Sequence, residues 1–313
     1  MKTVFVSDIK EGHQVQSSFQ IARKELQSFK SKPGMYVSLV LRDCTGEIDA
    51  RVWDDGENVF NRFQVGDVVV ITGEAVSYKG QLQININTIV PEEGEILPEH
   101  YLPVTVEDRA QLLQEIHDAI DLITDPYLKE LLQSFFSDAE FVAAFRAAPA
   151  AKQNHQAYLG GLLEHTVNVL RLARAVSSVY TILNSDLMIA GAILHDIGKI
   201  KEYQYDTLID FTDEGRLLGH IILGVEMISR RMDQMASFPA ELRLKLLHIV
   251  ASHHGQYEWQ SPKRPKVIEA CALHYCDLLD SQMYQFTRAI TSSENGATWS
   301  EWLRSLDRMV YLK

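Results

Sequence analysis

The chain has 313 residues, about twice the usual domain size, so two folded parts are expected. With 46% hydrophobic and 23% charged residues it has globular proportions, which excludes a disordered, collagen-like or low-complexity chain. A formal charge of −12 excludes a basic coat over the whole surface but leaves room for a local basic groove.

The longest near-apolar run, residues 187–194, is far short of the roughly twenty residues that cross a bilayer, so no membrane association is expected. The first eight residues lack the pattern of a secretory signal. Three cysteines without a C-x-x-C pair point to a reducing cytoplasm and away from a thiolate zinc site.

Residues 1–90 carry six Lys and four Arg against six Asp and five Glu, a net of −1, so most of the acidity lies further on. Within them, residues 14–29 form a long polar–apolar stretch and residues 35–41 (M-Y-V-S-L-V-L) are rich in strand formers. A turn at Asp43-Cys44-Thr45-Gly46 leads into the alternating residues 47–53 (E-I-D-A-R-V-W), a half-buried strand. Residues 54–63 predict a short helix, residues 67–76 a fourth strand, and residues 81–89 a fifth, after a turn at Lys79-Gly80. Five strands with a helix between the third and fourth is the order of an OB-fold, a small barrel whose face often binds oligonucleotides. Tyr36 and Trp53, with Phe19 and Tyr78, are candidate stacking surfaces, though aromatics in small barrels are usually core. Arg23, Lys24, Arg42 and Arg51, with Lys30 and Lys32, are candidate phosphate contacts.

Residues 91–104, with three prolines and four glutamates, read as a linker. From residue 105 the period becomes helical. Thr105-x-x-Asp108 has the form of a capping signal. Leu112, Leu113, Ile116, Ile120 and Ile123 mark one helical face, and further helices are expected at about 126–136, 139–147, 162–179, 186–197, 219–235, 240–253 and 266–283. The fold class expected is an OB-fold barrel (1–90) followed by an all-α domain (105–313).

In the helical half, His195-Asp196 ends an apolar helix where charge has no packing reason to be. An aspartate there is costly unless paired or metal-bound. His165 lies thirty residues upstream; His220, His253-His254 and Asp277 follow on separate helices. A mixed His and Asp set without thiolate suits Mn²⁺, Mg²⁺, Fe²⁺, Co²⁺ or Zn²⁺. Asp196, with two oxygens, has the means to bridge two ions, an arrangement that serves phosphoester hydrolysis.

The order His165…His195-Asp196…His220…His253-His254…Asp277 resembles that of the HD-domain metal-dependent phosphohydrolases over about 150–290. With the segments at 149–166 (P-A-A-K-Q-N-H-Q-A-Y-L-G-G-L-L-E-H-T) and 252–265 (S-H-H-G-Q-Y-E-W-Q-S-P-K-R-P) behind an OB-fold, nearly the whole chain resembles the YhaM-type 3′→5′ exoribonucleases. One departure is His155-Gln156, where members of that group often carry His-His.

The resemblance implies His165, His195, Asp196 and Asp277 as primary ligands, with His220 and one of His253 and His254 on a second ion. It implies single-stranded RNA as substrate, with single-stranded DNA as an alternative, nucleoside 5′-monophosphates as products, a role in RNA processing or decay, and Mn²⁺ as first choice of metal. Association of copies of the chain is left open. Lys199, one turn beyond His195, is a candidate catalytic cation for a phosphate oxygen or a plain helix-terminal charge. Lys152, Asn154, His155 and Tyr158 form a candidate substrate loop, and Lys263 and Arg264 a basic one; ordinary surface loops are the alternative for both. Two rival functions are a nucleotide or cyclic-dinucleotide phosphodiesterase, and a single-strand DNA-binding replication or regulatory factor.

Overall fold

The computed structural model describes residues 2–29, 33–152, 156–293 and 296–313; Lys30, Lys32, Asn154 and His155 lie outside them. The chain divides into two compact units, Met1–Val104 with Tyr205–Leu208, and Thr105–Gln204 with Ile209–Lys313.

In the first unit, β1 (Gln14–Ser28), β2 (Met35–Asp43), β3 (Gly46–Val52), β4 (Val68–Tyr78) and β5 (Gln81–Pro91) close into a barrel of order β1-β2-β3-β5-β4. All neighbours are antiparallel except β3 and β5, which run parallel and close the barrel. Alternation decides which side chains face in: on β3, Ile48, Ala50 and Val52 are buried while Glu47, Asp49 and Arg51 face outward. The short helix α1 (Gly56–Arg62) lies between β3 and β4, as the residue pattern predicts. Phe19 is not a stacking surface: it is fully buried in the core with Ile21, Leu41, Ile71 and Ile84. Burying each such side chain stabilises the barrel by roughly 1.5–3 kcal/mol.

Residues 91–104, expected as a linker, fall within the first unit. β5 continues to Pro91, paired with Val69. Beyond it Tyr101 and Leu102 are buried, the Tyr101 hydroxyl meets Ser18 Oγ at 2.8 Å, and the His100 carbonyl accepts the Cys44 N–H at 3.0 Å. One large ring with a satisfied hydroxyl outweighs the polar composition of the segment.

The second unit contains α2 (Arg109–Leu122), α3 (Pro126–Phe136), α4 (Ala139–Ala147), α5 (Gly161–Val179), α6 (Ser185–Leu194), α7 (Lys199–Glu202), α8 (Asp213–Gln234), α9 (Ala240–Ser252) and α10 (Ile268–Thr291). The N-cap of α2 is Asp108, whose carboxylate accepts the N–H groups of Ala110 and Gln111; Thr105 bonds Glu164 instead. Two-residue strands β6 (Tyr203–Gln204) and β7 (Asp210–Phe211) interrupt the otherwise helical unit. α6 is apolar all round and buried from Leu187 to Leu194, so the chain's most hydrophobic helix ends in the middle of the unit. No helix of the described residues is long and apolar enough to cross a membrane.

Candidate metal centre

Five histidines converge on one cluster from four helices and the turns that end them. His165 lies on the second turn of α5. His195 and Asp196 follow the last residue of α6, and His253-His254 follow α9. Asp277 is on α10. His220 lies within α8 just after Gly219, whose φ of 72° and ψ of 158° break the helix. That left-handed φ, open to glycine, re-aims the chain so that His220 turns inward. The expected helix start at residue 219 is therefore a break within a longer helix.

The glycine of the H-D-I-G-K motif has a different reason. A Cβ on Gly198 would lie 1.9 Å from the His220 carbonyl oxygen and 2.6 Å from the Gly224 nitrogen. Only a residue without a side chain lets α8 pass this close to the turn that carries His195 and Asp196.

The side chains fall into two groups that could each hold an ion: His165, His195 and Asp277, and His220, His253 and His254. In the first, His165 Nε2 is 3.2 Å from His195 Nε2 and 3.2 Å from Asp277 Oδ1. Asp196 stands between the groups. Its Oδ2 is 3.4 Å from both His165 Nε2 and His195 Nε2, while its Oδ1 is 3.5 Å from both His220 Nε2 and His253 Nε2.

Every one of the five rings uses Nδ1 for an outward bond and leaves Nε2 for the cluster. His195 and His253 bond the carbonyls of Ala192 (2.8 Å) and Val250 (2.7 Å), each three residues back on its own helix. His254 bonds the Trp259 carbonyl at 2.8 Å, His220 bonds Glu202 Oε1 at 3.0 Å, and His165 bonds Asp280 Oδ2 at 2.7 Å. These outer partners set the tautomer and the ring plane, as they do around metal-binding histidines generally.

Asp196 Oδ1, His220 Nε2 and His253 Nε2 are buried and have no hydrogen-bond partner. Three orphaned ligand atoms within reach of one another fit a divalent cation, since leaving them bare costs about 1–3 kcal/mol each. Charge points the same way. Asp196, Asp277, Asp280 and Glu202 gather around these histidines, and Lys199 Nζ is 2.6 Å from Asp196 Oδ2. Burial opposes ionisation of Asp196, but Lys199, His195 and His165 outweigh it and hold the carboxyl well below the usual range. Burial likewise works against charge on His165, yet Asp196, Asp277 and Asp280 hold its pKa well above the ordinary value; the site draws positive charge to itself. Burial lowers the pKa of both His253 and His254, His254 to about 3 with His253 and His220 adding to the effect, which favours the neutral, metal-binding form.

Residues 162–282 match the family model of the HD domain, and residues 20–92 match that of the OB-fold nucleic acid binding domain. The chain joins an OB-fold to an HD domain. HD domains bind divalent metals, and this one indicates a metal-dependent phosphohydrolase. Among solved structures, the second OB-fold domain of replication protein A from Methanococcus maripaludis is 22% identical over 31% of this chain and 100% of its own, with a TM-score of 0.25. PriB from Ralstonia solanacearum is 14% identical over 26% and 97%, with a TM-score of 0.23. The HD domain of the L. monocytogenes phosphodiesterase PgpH is 20% identical over 56% and 78%, with a TM-score of 0.29.

The HD-domain cavity has a volume of about 680 Å³ and is lined by Lys152, Asp196, Lys199, His220, His254 and Asp277 together with Tyr203, Phe211, Trp259 and Gln285. Lys152 thus reaches it, bonded to Asp210 at 2.7 Å. Tyr158 packs on Tyr284 at 6.2 Å and does not line it. Neither do Lys263 and Arg264: the guanidinium bonds Gln256, and the Lys263 N–H bonds the Ala251 carbonyl. Gln156, at the departure from His-His, is buried and donates to Asp280 Oδ2 at 3.1 Å, supporting the partner of His165. Glu202 is the other support that residue spacing does not reveal.

On the barrel, the rings of Tyr36 and Trp53 lie 4.9 Å apart with Phe29 against both, and Trp53 is exposed. Arg23 and Arg51 line one cleft with Glu25 and Asp49, and Arg51 is 3.6 Å from the Asp49 carboxylate. Arg42 is paired with Glu47. Lys24 is held inside the unit, donating to the carbonyls of Phe60 and Phe63 at the end of α1.

Proposed function

We propose that this protein is a two-metal 3′→5′ exoribonuclease that removes nucleoside 5′-monophosphates from single-stranded RNA, in RNA processing or decay. The observation that carries the reading is the division of Asp196, Oδ2 toward His165 and His195 and Oδ1 toward His220 and His253. One carboxylate shared between two ligand clusters is what a pair of divalent ions needs. In this reading His165, His195, Asp196 and Asp277 hold one ion, and His220, His253, His254 and Asp196 the other. Two bound ions supply water activation and charge neutralisation for in-line displacement at phosphorus. Imidazole and carboxylate donors suit Mn²⁺ first.

The chain's own residues do the rest. The outward Nδ1 bonds keep five Nε2 lone pairs aimed at fixed points. Lys199 and Lys152 line the cavity as cations for phosphate oxygens. The OB-fold offers the Tyr36–Trp53 rings and Arg23 and Arg51 to upstream nucleotides, a combination that tolerates any sequence. Such a platform favours an oligonucleotide over a mononucleotide substrate.

The test is a 5′-labelled RNA with a 3′ single-stranded tail beyond a hairpin. With Mn²⁺ present, a ladder descending one nucleotide at a time and halting near the hairpin is expected. Internal cuts, or equal decay of an RNA whose 3′ end is blocked, would sink the assignment.

A further inference from the structure

One aromatic side chain of the metal cavity keeps half of its surface exposed. Trp259 lines the cavity and is 50% exposed. It ends a single 3₁₀ turn, Tyr257–Trp259, fixed by its N–H to the Gln256 carbonyl at 3.2 Å. Behind it lies the His274 ring, 5.9 Å away at 37°, itself held by a bond from Nδ1 to the His253 carbonyl at 2.7 Å. The Trp259 carbonyl accepts from His254 Nδ1. The Trp259 main chain is thus tied to His254, and the indole is backed by a ring tied to His253, so the segment that carries it is fixed beside the metal cluster.

The cavity's other aromatic pair differs. Tyr203 is buried, and Phe211 has Lys152 and Arg216 set over its ring at 5.5 and 5.8 Å. The indole, not this pair, is the half-exposed ring facing the cavity.

We propose that Trp259 is the surface on which the base of the scissile terminal nucleotide stacks, making it a specificity-determining residue that distinguishes a nucleotide end from a bare sugar–phosphate end. The inference rests on the nuclease reading of the same site. It predicts indifference to which base is present, because every base offers a π-face. It also gives His254 a second use: the bond that orients its ring holds the main chain that carries the indole.

Two RNAs, one ending in an ordinary 3′ nucleotide and one in a 3′ abasic ribose, are compared by kcat/KM with Mn²⁺-loaded protein. The parent is expected to favour the base-bearing end by on the order of tenfold, as loss of one base–aromatic stack implies. In Trp259→Ala that ratio should fall toward one, and in Trp259→Phe most of it should return. An unchanged ratio in Trp259→Ala overturns the proposal, including the case in which both rates fall together. A second readout is independent of turnover. Adenosine 5′-monophosphate should quench the tryptophan fluorescence of the metal-loaded parent but not of Trp259→Phe, and ribose 5-phosphate should quench neither. If the parent degrades no RNA but this difference holds, the nuclease reading fails and base stacking stands; equal quenching in parent and Trp259→Phe rejects the stacking.

Discussion

Glu202 holds His220 at two points: one oxygen, Oε1, accepts both the His220 backbone N–H and its Nδ1–H, each at 3.0 Å. Burial opposes the charge on Glu202, and these bonds to His220 outweigh it, lowering the carboxyl pKa. The residue after the Gly219 break is therefore anchored by main chain and side chain to the last residue of α7.

Glu202→Gln keeps the shape and removes the charge. The ion held by His220, His253 and His254 should bind about tenfold more weakly or worse, as outer-partner substitutions usually act, while the ion at His165 and His195 is retained. Isothermal titration with Mn²⁺ reads both steps. Two ions binding as tightly as in the parent would refute the assignment of His220.

Asp196→Asn should lose both ions and all hydrolysis, because the amide replaces a charged oxygen in each cluster. Far-ultraviolet circular dichroism should stay near that of the parent, since α6 is held by its own apolar packing. Hydrolysis near the parental rate would show that the bridge is misplaced.

Gly198→Ala places a methyl 1.9 Å from the His220 carbonyl. Overpacking against backbone costs about 1–3 kcal/mol, occasionally more. At about 2–4 °C per kcal/mol for a domain of this size, the melting temperature of the helical unit should fall by several degrees. Unaltered melting would mean that the α7–α8 approach is looser than described.

Tyr101→Phe removes the hydroxyl from Ser18 and should destabilise the barrel by about 1 kcal/mol; Tyr101→Ala should cost about 3–5 kcal/mol. Urea unfolding followed by barrel fluorescence measures both. No loss in the alanine variant would mean that residues 91–104 act as a linker only.

On the barrel, Trp53→Ala should weaken single-stranded RNA binding about tenfold, and Arg23→Ala with Arg51→Ala should lower the salt slope by roughly one to two. Lys24→Ala should cost stability instead, because its ammonium caps α1. Fluorescence anisotropy at several salt concentrations separates these, and an affinity loss confined to Lys24→Ala would contradict the chosen face.

What could be read from residues alone depended on local contrast. Charges at the end of the run 187–194 mark His195-Asp196 because nothing apolar explains them, and strict alternation in residues 47–53 marks β3. Supports that form only by tertiary packing left no such mark. Asp280 meets His165 across 115 positions and Gln156 across 124. Tyr101 sits among prolines and glutamates whose composition argues for a linker, and β6 and β7 are too short to show a period. Lys24 looked like any barrel cation, since a capping role is set by where α1 ends.

His195 and His253 share one arrangement: each follows the last turn of its helix and returns a bond to the carbonyl three residues back. Two helix C-termini, those of α6 and α9, therefore converge on the cavity and add their negative dipole ends to four carboxylates. Those negative ends and carboxylates face Lys152 and Lys199 across the same site. If the site takes two cations as proposed, ions should bind before an anionic strand does, because their charge would offset that of the carboxylates. A strand offered to the ion-free protein should rest on the OB-fold alone.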